Sequence, residues 1–412
     1  MTTLANYDAF AGRHWETGSV QNYYQSRGVV APHTGKPFSE AFLMGVSGGA
    51  VMGYFTFAYE GYDPMARILT RNTFDPFERM LERLGVIQNL IHTNKPDRAQ
   101  KLLLETLDEG EAALVWTDIF SLPYNALPWD DANWGVFPLV VYGYEPGGSV
   151  SIADRSTVGL MVEATTFDGA RSRLKKFKHR MLTLSPPNEE KLITAVSNGI
   201  WDCIKLYLEA PPKGSKNNFG LAAYQYMAQM LTKPKQKRSW EKEFPAGRKQ
   251  YAALTSMYHD IVLFGKDMNG RSDRDLYADF LDEAAVLLQK DALTAVAEQF
   301  RQSAAAWGKL AEMLLPDDIP SFKETRETML RQHQLFLTEG NTSLDERVAI
   351  NHRLEALKVE MENDFPLDES GVVALRESLA EQLLVIHDIE RDAVLALQSV
   401  QSEPHHHSSL PA

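Results

Sequence analysis

The sequence predicts an α+β protein, with a small antiparallel sheet in its first part and an all-α part after it. Two observations carry this. Up to about residue 170, short β-favouring runs alternate with glycine-rich turns and aromatic residues. From Ser185-Pro186-Pro187-Asn188 onward the pattern changes to long segments rich in Ala, Leu, Glu and Lys, with apolar residues at a helical period. A chain of 412 residues, 44% hydrophobic and 24% charged, is long enough for two domains with their own cores. We therefore expect a boundary between 1–183 and 184–412.

The elements follow in order. In Asp75-Pro76-Phe77-Glu78, Asp75 suits a helix N-cap, Pro76 the first helical position and Glu78 a capping box, with Gly85 closing the helix. Leu114-Val115-Trp116-Thr117, Leu139-Val140-Val141-Tyr142 and Val150-Ser151-Ile152-Ala153 read as strands. Pro146-Gly147-Gly148 joins the last two as a hairpin. Helices are expected at about 188–209, 218–232, 246–265, 275–290, 291–315, 320–338, 343–363 and 368–401. The last three, over 320–401, have heptad-like spacing that suits either a hairpin or dimer element or packing within the bundle. Residues 402–412 read as a disordered polar tail, with His405-His406-His407 as a weak metal binder at most.

Composition narrows the function. The 42 basic against 55 acidic residues leave a net charge of -13, which argues against nucleic acid as a partner because phosphate neutralisation needs a positive surface. One cysteine excludes a disulfide framework and a cysteine-based zinc site. The first eight residues lack the basic and apolar regions of a signal peptide, and no window approaches the apolar length of a membrane span. We expect a cytoplasmic protein with no membrane and no metal.

A series of motifs then appears in a fixed order. His14-Trp15-Glu16-Thr17-Gly18 is followed by Ser39-Glu40-Ala41-Phe42, Gly45-Val46-Ser47-Gly48-Gly49 and Gly53-Tyr54. Arg71, Leu84-Gly85-Val86, Leu122-Pro123-Tyr124, Val140-Val141-Tyr142-Gly143-Tyr144-Glu145 and Ile152-Ala153-Asp154-Arg155 come next. This order resembles the N-terminal domain of the butirosin-biosynthesis acyltransferase family. The stretches Lys216-Asn217-Asn218-Phe219-Gly220-Leu221 and Leu276 to Ala285 resemble the uncharacterised helical domain that often follows it. The resemblance covers about residues 7 to 315. It implies a papain-like fold and transfer of an acyl group from a carrier-protein thioester to an amine, in specialised metabolite biosynthesis.

The chain departs from that family where the chemistry lies. Family members carry a cysteine directly after the histidine, where this chain has Trp15, and a histidine at Phe137; only the third triad position, Asp154, keeps its residue. A papain-like site needs a thiolate, an imidazole to hold the proton and a group to orient that imidazole. Indole is no nucleophile, and a phenyl ring accepts no proton. The single cysteine, Cys203, falls in an amphipathic helical stretch outside the motif and reads as a small buried hydrophobe.

Two readings stay open. In the first, an amine held against the thioester attacks directly, with His14 as general base, Glu16 or Glu40 orienting it or contacting the amine, and Asp154 in support. In the second, the chain is a pseudoenzyme that binds a carrier, a metabolite or a partner; His14 then only caps the helix starting near Glu16, and Asp154 only shapes its turn. The resemblance makes an acyl carrier protein, its phosphopantetheine arm or a small amine the expected partner, and a homodimer is compatible with the last helices. Arg173, Lys175 and Lys176 in one basic run, and Lys235, Lys237 and Arg238 in another, are candidate carrier contacts or solvated faces. Gly45 to Gly49 lacks the spacing of a phosphate loop and reads instead as a place of close backbone approach.

Overall fold

A computed structural model describes residues 2–128, 133–263 and 270–403. Of the tail expected at 402–412, Ser402 instead ends the last helix, and residues 404–412, His405 to His407 included, lie outside the described residues. The first part runs β1 (Thr2–Thr3), α1 (Trp15–Ser26), β2 (Val30–Ala31), β3 (Lys36–Pro37), α2 (Glu40–Val46), β4 (Ala50–Phe57) and β5 (Met65–Arg71). It continues with α3 (Pro76–Arg83), β6 (Gln88–Ile91), α4 (Pro96–Asp108), β7 (Ala113–Asp118), β8 (Val136–Tyr144), β9 (Ser149–Ala153), β10 (Leu160–Glu163), α5 (Ala164–Arg173) and β11 (Met181–Leu184). The fold is α+β, as the sequence predicts.

Among the described residues the main sheet has seven strands in the order β10-β9-β8-β7-β11-β6, with β1 added to β8, and its pairings are antiparallel. Period-two alternation assigns its two faces. On β7, Leu114 and Trp116 join the larger core, while Ala113 and Val115 face a second core built with Leu103 and Leu107 of α4 and Phe167 and Ala170 of α5. The sheet is therefore covered on both sides, which explains why β7 and β8 read as unbroken apolar runs. The expected hairpin is present: Gly148 donates to the Glu145 carbonyl, and Gly147 takes a positive φ of 71°.

The start of α3 differs from the expected cap. Asp75 is left-handed at φ 52° and makes no capping bond, and Glu78 pairs instead with Arg180 at 2.5 Å. Pro76 still opens the helix, and Gly85 still ends it at φ 63°. The proline fixes the first turn without help from the carboxylate.

Eight helices of the second part match the expected segments, and the four-residue helix Trp240–Glu243 is an addition to them. In chain order the helices are α6 (Leu192–Leu208), α7 (Gly220–Thr232), α8 (Trp240–Glu243), α9 (Arg248–Tyr258), α10 (Arg274–Leu288), α11 (Ala292–Leu314), α12 (Pro320–Glu339), α13 (Leu344–Glu360) and α14 (Glu369–Ser402). After α9 the chain continues as a π-helical turn, His259–Leu263. Within the C-terminal stretch α12 packs on α13 as a hairpin, whereas α14 runs into the bundle against α11, α7 and α6.

The two parts share one hydrophobic core, which joins residues such as Tyr24, Phe42 and Tyr54 to Trp240, Phe280 and Trp307. Two contacts bind them more specifically. A Cβ on Gly45 of α2 would lie 2.1 Å from the Phe280 ring, and one on Gly199 of α6 would lie 2.2 Å from the Gly45 carbonyl oxygen. The glycines thus allow the close approach that the sequence suggests. At the far side of the sheet, Thr157 donates its backbone N–H to the Leu337 carbonyl at 2.8 Å, and Phe336 and Leu337 complete the second core. This lays α12 beside the turn that follows β9.

Candidate functional site

The site is built around the turn into α1. A Cβ on Gly12 would lie 2.2 Å from the Gly18 carbonyl oxygen, so the loop can fold onto the first helical turn only with glycine there. The Gly12 N–H donates to Asn22 Oδ1 at 2.8 Å, and the Arg13 N–H donates to Glu40 Oε2 at 2.8 Å. His14 is the N-cap through its extended backbone, but its side chain makes no capping bond.

Trp15 and Phe137 come together. Their rings stack with centroids 4.2 Å apart and planes at 21°, one from the start of α1 and one from β8. The two positions that the resemblance assigns to nucleophile and base are therefore neighbours in space, although 122 residues separate them in sequence. The Arg155 guanidinium lies 4.3 Å from the Trp15 ring and 4.9 Å from the Phe336 ring of α12. Cation–π contact of this kind is worth about 0.5–2 kcal/mol per pair.

Asp154 adjoins this stack and is buried. Its Oδ1 accepts from the Arg155 backbone N–H at 2.8 Å and from Arg155 Nε at 3.1 Å, and its Oδ2 accepts from Arg155 Nη2 at 3.1 Å and Tyr124 Oη at 3.2 Å. Arg155 Nη2 also donates to Asn125 Oδ1 at 2.6 Å. The carboxylate thus holds the arginine that covers Trp15.

Glu40 is fully buried and its oxygens are spoken for. Besides the Arg13 N–H, it accepts from Thr17 Oγ1 at 2.9 Å and Arg71 Nη1 at 3.2 Å. Arg71 in turn donates through Nε to Asp273 Oδ2 at 2.8 Å. Burial alone would lower the guanidinium's pKa, but the carboxylates of Asp273 and Glu40 outweigh it and hold the charge. This network ties α1, α2 and β5 to the residue that precedes α10.

His14 and Glu16 form the remaining pair, with Nδ1 3.4 Å from Oε2. Burial, then the positive charges of Arg71 and Arg155, hold the imidazole well below its ordinary pKa. Burial raises the Glu16 carboxyl, and Arg71 opposes this. At neutral pH His14 is an uncharged imidazole with a weakened affinity for protons. A second imidazole comes from α12: His333 is pushed down to about 3 by burial, then by Arg155, His259 and Arg13.

The basic runs divide in the structure. Arg173 pairs with buried Asp118 at 2.8 Å, and Arg180 lies over the Trp116 ring at 4.2 Å, whereas Lys175 and Lys176 are exposed. Lys235, Lys237 and Arg238 are exposed on the loop after α7, where Arg238 pairs with Glu243 at 2.8 Å. Cys203 is fully buried and donates to the Ala50 carbonyl at 3.3 Å; burial pushes its thiol up to about 12. Among the described residues no group of three or more His, Cys, Asp or Glu is placed to hold a metal ion, and no helix is long and apolar enough to cross a membrane.

Sequence reasoning did not pick out Arg155, Phe336 or His333 for the site. Arg155 follows Asp154 directly and was within reach of a motif reading. Phe336 and His333 lie almost two hundred residues further on, and only the tertiary contact of α12 brings them in.

Residues 14–155 match the family described as "Butirosin biosynthesis protein H, N-terminal", and residues 270–330 match a domain of unknown function. The first match begins at His14 and ends at Arg155, so it contains Trp15, Phe137, Asp154 and Arg155, while Phe336 of the stack lies beyond it. No curated protein matches the chain. The chain therefore carries the N-terminal domain of the butirosin-biosynthesis family, followed by a helical part.

Proposed function

We propose that this butirosin-type chain is a binding member of a papain-like acyltransferase fold, a pseudoenzyme that holds a carrier protein or its bound metabolite in natural-product biosynthesis without forming a covalent intermediate. The observation that carries the reading is the stack of Phe137, Trp15 and Arg155, closed by Phe336. It fills the places where thiolate and imidazole would meet, and it engages the one retained triad residue as a partner for arginine. Trp15 is only 8% exposed, so the packed indole, rather than an open nucleophile position, stands at the start of α1. Exposed Lys175, Lys176, Lys235, Lys237 and Arg238 support docking of an acidic carrier in the cytoplasm, its phosphopantetheine arm included, and Arg173 drops out because Asp118 holds it.

One observation favours a second reading, direct aminolysis. The His14 imidazole is uncharged at neutral pH and lies 3.4 Å from a carboxylate, an arrangement that can take a proton from an attacking amine. Incubation with acetyl-pantetheine or acetyl-loaded carrier protein and a simple primary amine separates the two. Binding of the carrier with neither acyl-protein nor amide by mass spectrometry supports the pseudoenzyme. Amide formation that disappears in His14→Ala, with the fold retained, establishes transfer instead.

A further inference from the structure

The helix α14 carries an exposed stripe that the bundle leaves uncovered. Val373, Leu384 and Leu395 are 47%, 43% and 45% exposed, in a helix whose opposite side is buried against α11, α7 and α6. They stand eleven residues apart, and at 3.6 residues per turn an eleven-residue step returns to within about 20° of the same direction. The stripe is therefore straight along about 33 Å of helix. Glu377 and Arg391 fall on the same line, each seven residues from Leu384.

The order of these residues is self-complementary. If α14 is laid antiparallel on a copy of itself about Leu384, Val373 faces Leu395 of the second copy, Leu384 faces Leu384, and Glu377 faces Arg391. The Val373–Leu395 and Glu377–Arg391 pairings each occur twice and the Leu384 pair once, on the axis, as two-fold symmetry requires. No like charges are set opposite one another along the line. Arg391 is already ordered by Asp388 at 2.8 Å and Asp392 at 3.0 Å on its own helix, and a cleft of about 580 Å³, lined by Ala380, Leu384 and Glu377 with Lys233 just after α7, runs alongside to receive side chains of the other helix.

We propose that two copies of this chain associate through α14 about a two-fold axis at Leu384. A chain of net charge -13 repels its own copy, so a specific contact needs the cross-axis pairing of Glu377 with Arg391 and a shared apolar line. The interface lies apart from the Trp15 stack and does not depend on the binding role proposed for it.

Sedimentation of the full chain tests this, with the monomer at 46.3 kDa. The expected result is a species of twice that mass at micromolar concentration. Glu377→Arg alone or Arg391→Glu alone sets like charges across both symmetric contacts and should raise the dissociation constant at least about tenfold, while the two together restore it. Leu384→Cys gives an independent reading, because Cys203 is buried and the new thiol would face its own copy. Mild oxidation should then yield a covalent dimer. A monomer at all concentrations, a dimer indifferent to both charge reversals, or the absence of that crosslink in the dimer would each overturn the proposal.

Discussion

The Trp15 indole packs face to face on Phe137 at 4.2 Å, and the Arg155 guanidinium lies 4.3 Å from the indole. Two substitutions that look like separate losses in the sequence thus form one packed unit. Removing the indole should uncover the Phe137 ring and the guanidinium together, so Trp15→Ala is expected to cost about 3–5 kcal/mol of stability. Trp15→Phe, which keeps a ring in the stack, should cost less than half of that. Urea unfolding measures both, and equal losses in the two variants would show that stacking contributes little.

Introducing the cysteine and histidine that the family resemblance implies tests the arginine. In Trp15→Cys with Phe137→His, the new thiol and imidazole occupy adjacent positions, but Asp154 is still engaged by Arg155 and cannot orient the ring. The thiol should therefore alkylate with a pKa near that of free cysteine, about 8.5. Adding Arg155→Ala releases the carboxylate and should lower that value. The pH dependence of iodoacetamide labelling reads it directly, provided that each variant keeps the parent circular dichroism.

The fold was legible because its signals are local. The eight helical segments follow from periodicity, and β7, β8 and β9 follow from short β-favouring runs between turn residues. The cap at Asp75 failed because proline at the next position already sets the first turn, leaving Glu78 free to reach Arg180. The site was half legible for a related reason. Trp15, Phe137 and Asp154 could be placed from motifs on α1, β8 and β9, whereas Phe336 and His333 enter through the packing of α12 on the loop at Thr157, which no local pattern encodes.

Both imidazoles near the stack should make the protein sensitive to mild acid. His14 and His333 have folded-state pKa values below the ordinary 6.5, so the unfolded chain takes up protons before the native one does. Their contribution is complete above about pH 7 and is lost as pH falls below 6.5, at up to about 1.4 kcal/mol per pH unit for each group. Glu16, whose pKa is raised, works in the opposite sense at lower pH. Urea midpoints at pH 7.5 and pH 5.5 should differ, and His333→Gln should reduce the difference by its own share. An identical drop in that variant would mean that His333 is protonated freely in the native state.

Cys203 should be silent in the native protein. Its thiol is fully buried, bonded to the Ala50 carbonyl and raised to about 12, so thiolate is scarce at neutral pH and a reagent cannot reach it. Labelling with an aromatic disulfide reagent is expected to be negligible over the time in which one equivalent reacts in guanidinium. Rapid native labelling would mean that α6 opens from α2 and β4 far more readily than their shared core suggests.

The strongest single determinant of stability in the helical part should be Glu390. It is fully buried and accepts from Arg274 Nε at 2.7 Å, Ser303 at 2.6 Å, Trp307 at 3.0 Å and the hydroxyls of Tyr207 and Tyr224, each at 2.6 Å. Burial opposes its charge, yet Arg274 and these donors hold the carboxyl down at about 2. Arg274 also donates to the Thr70 carbonyl at 3.0 Å, so the same pair fastens β5 to the bundle. Glu390→Gln leaves the guanidinium buried without its counter-charge and should cost about 3–5 kcal/mol. Because the folded pKa is depressed, the stabilisation is present above the unfolded value near pH 4.5 and disappears as pH falls towards 2. The parent should therefore lose stability across that window, and Glu390→Gln should lose less there because it starts without the charge. Equal acid profiles for the two proteins would show that another carboxylate governs the acid transition.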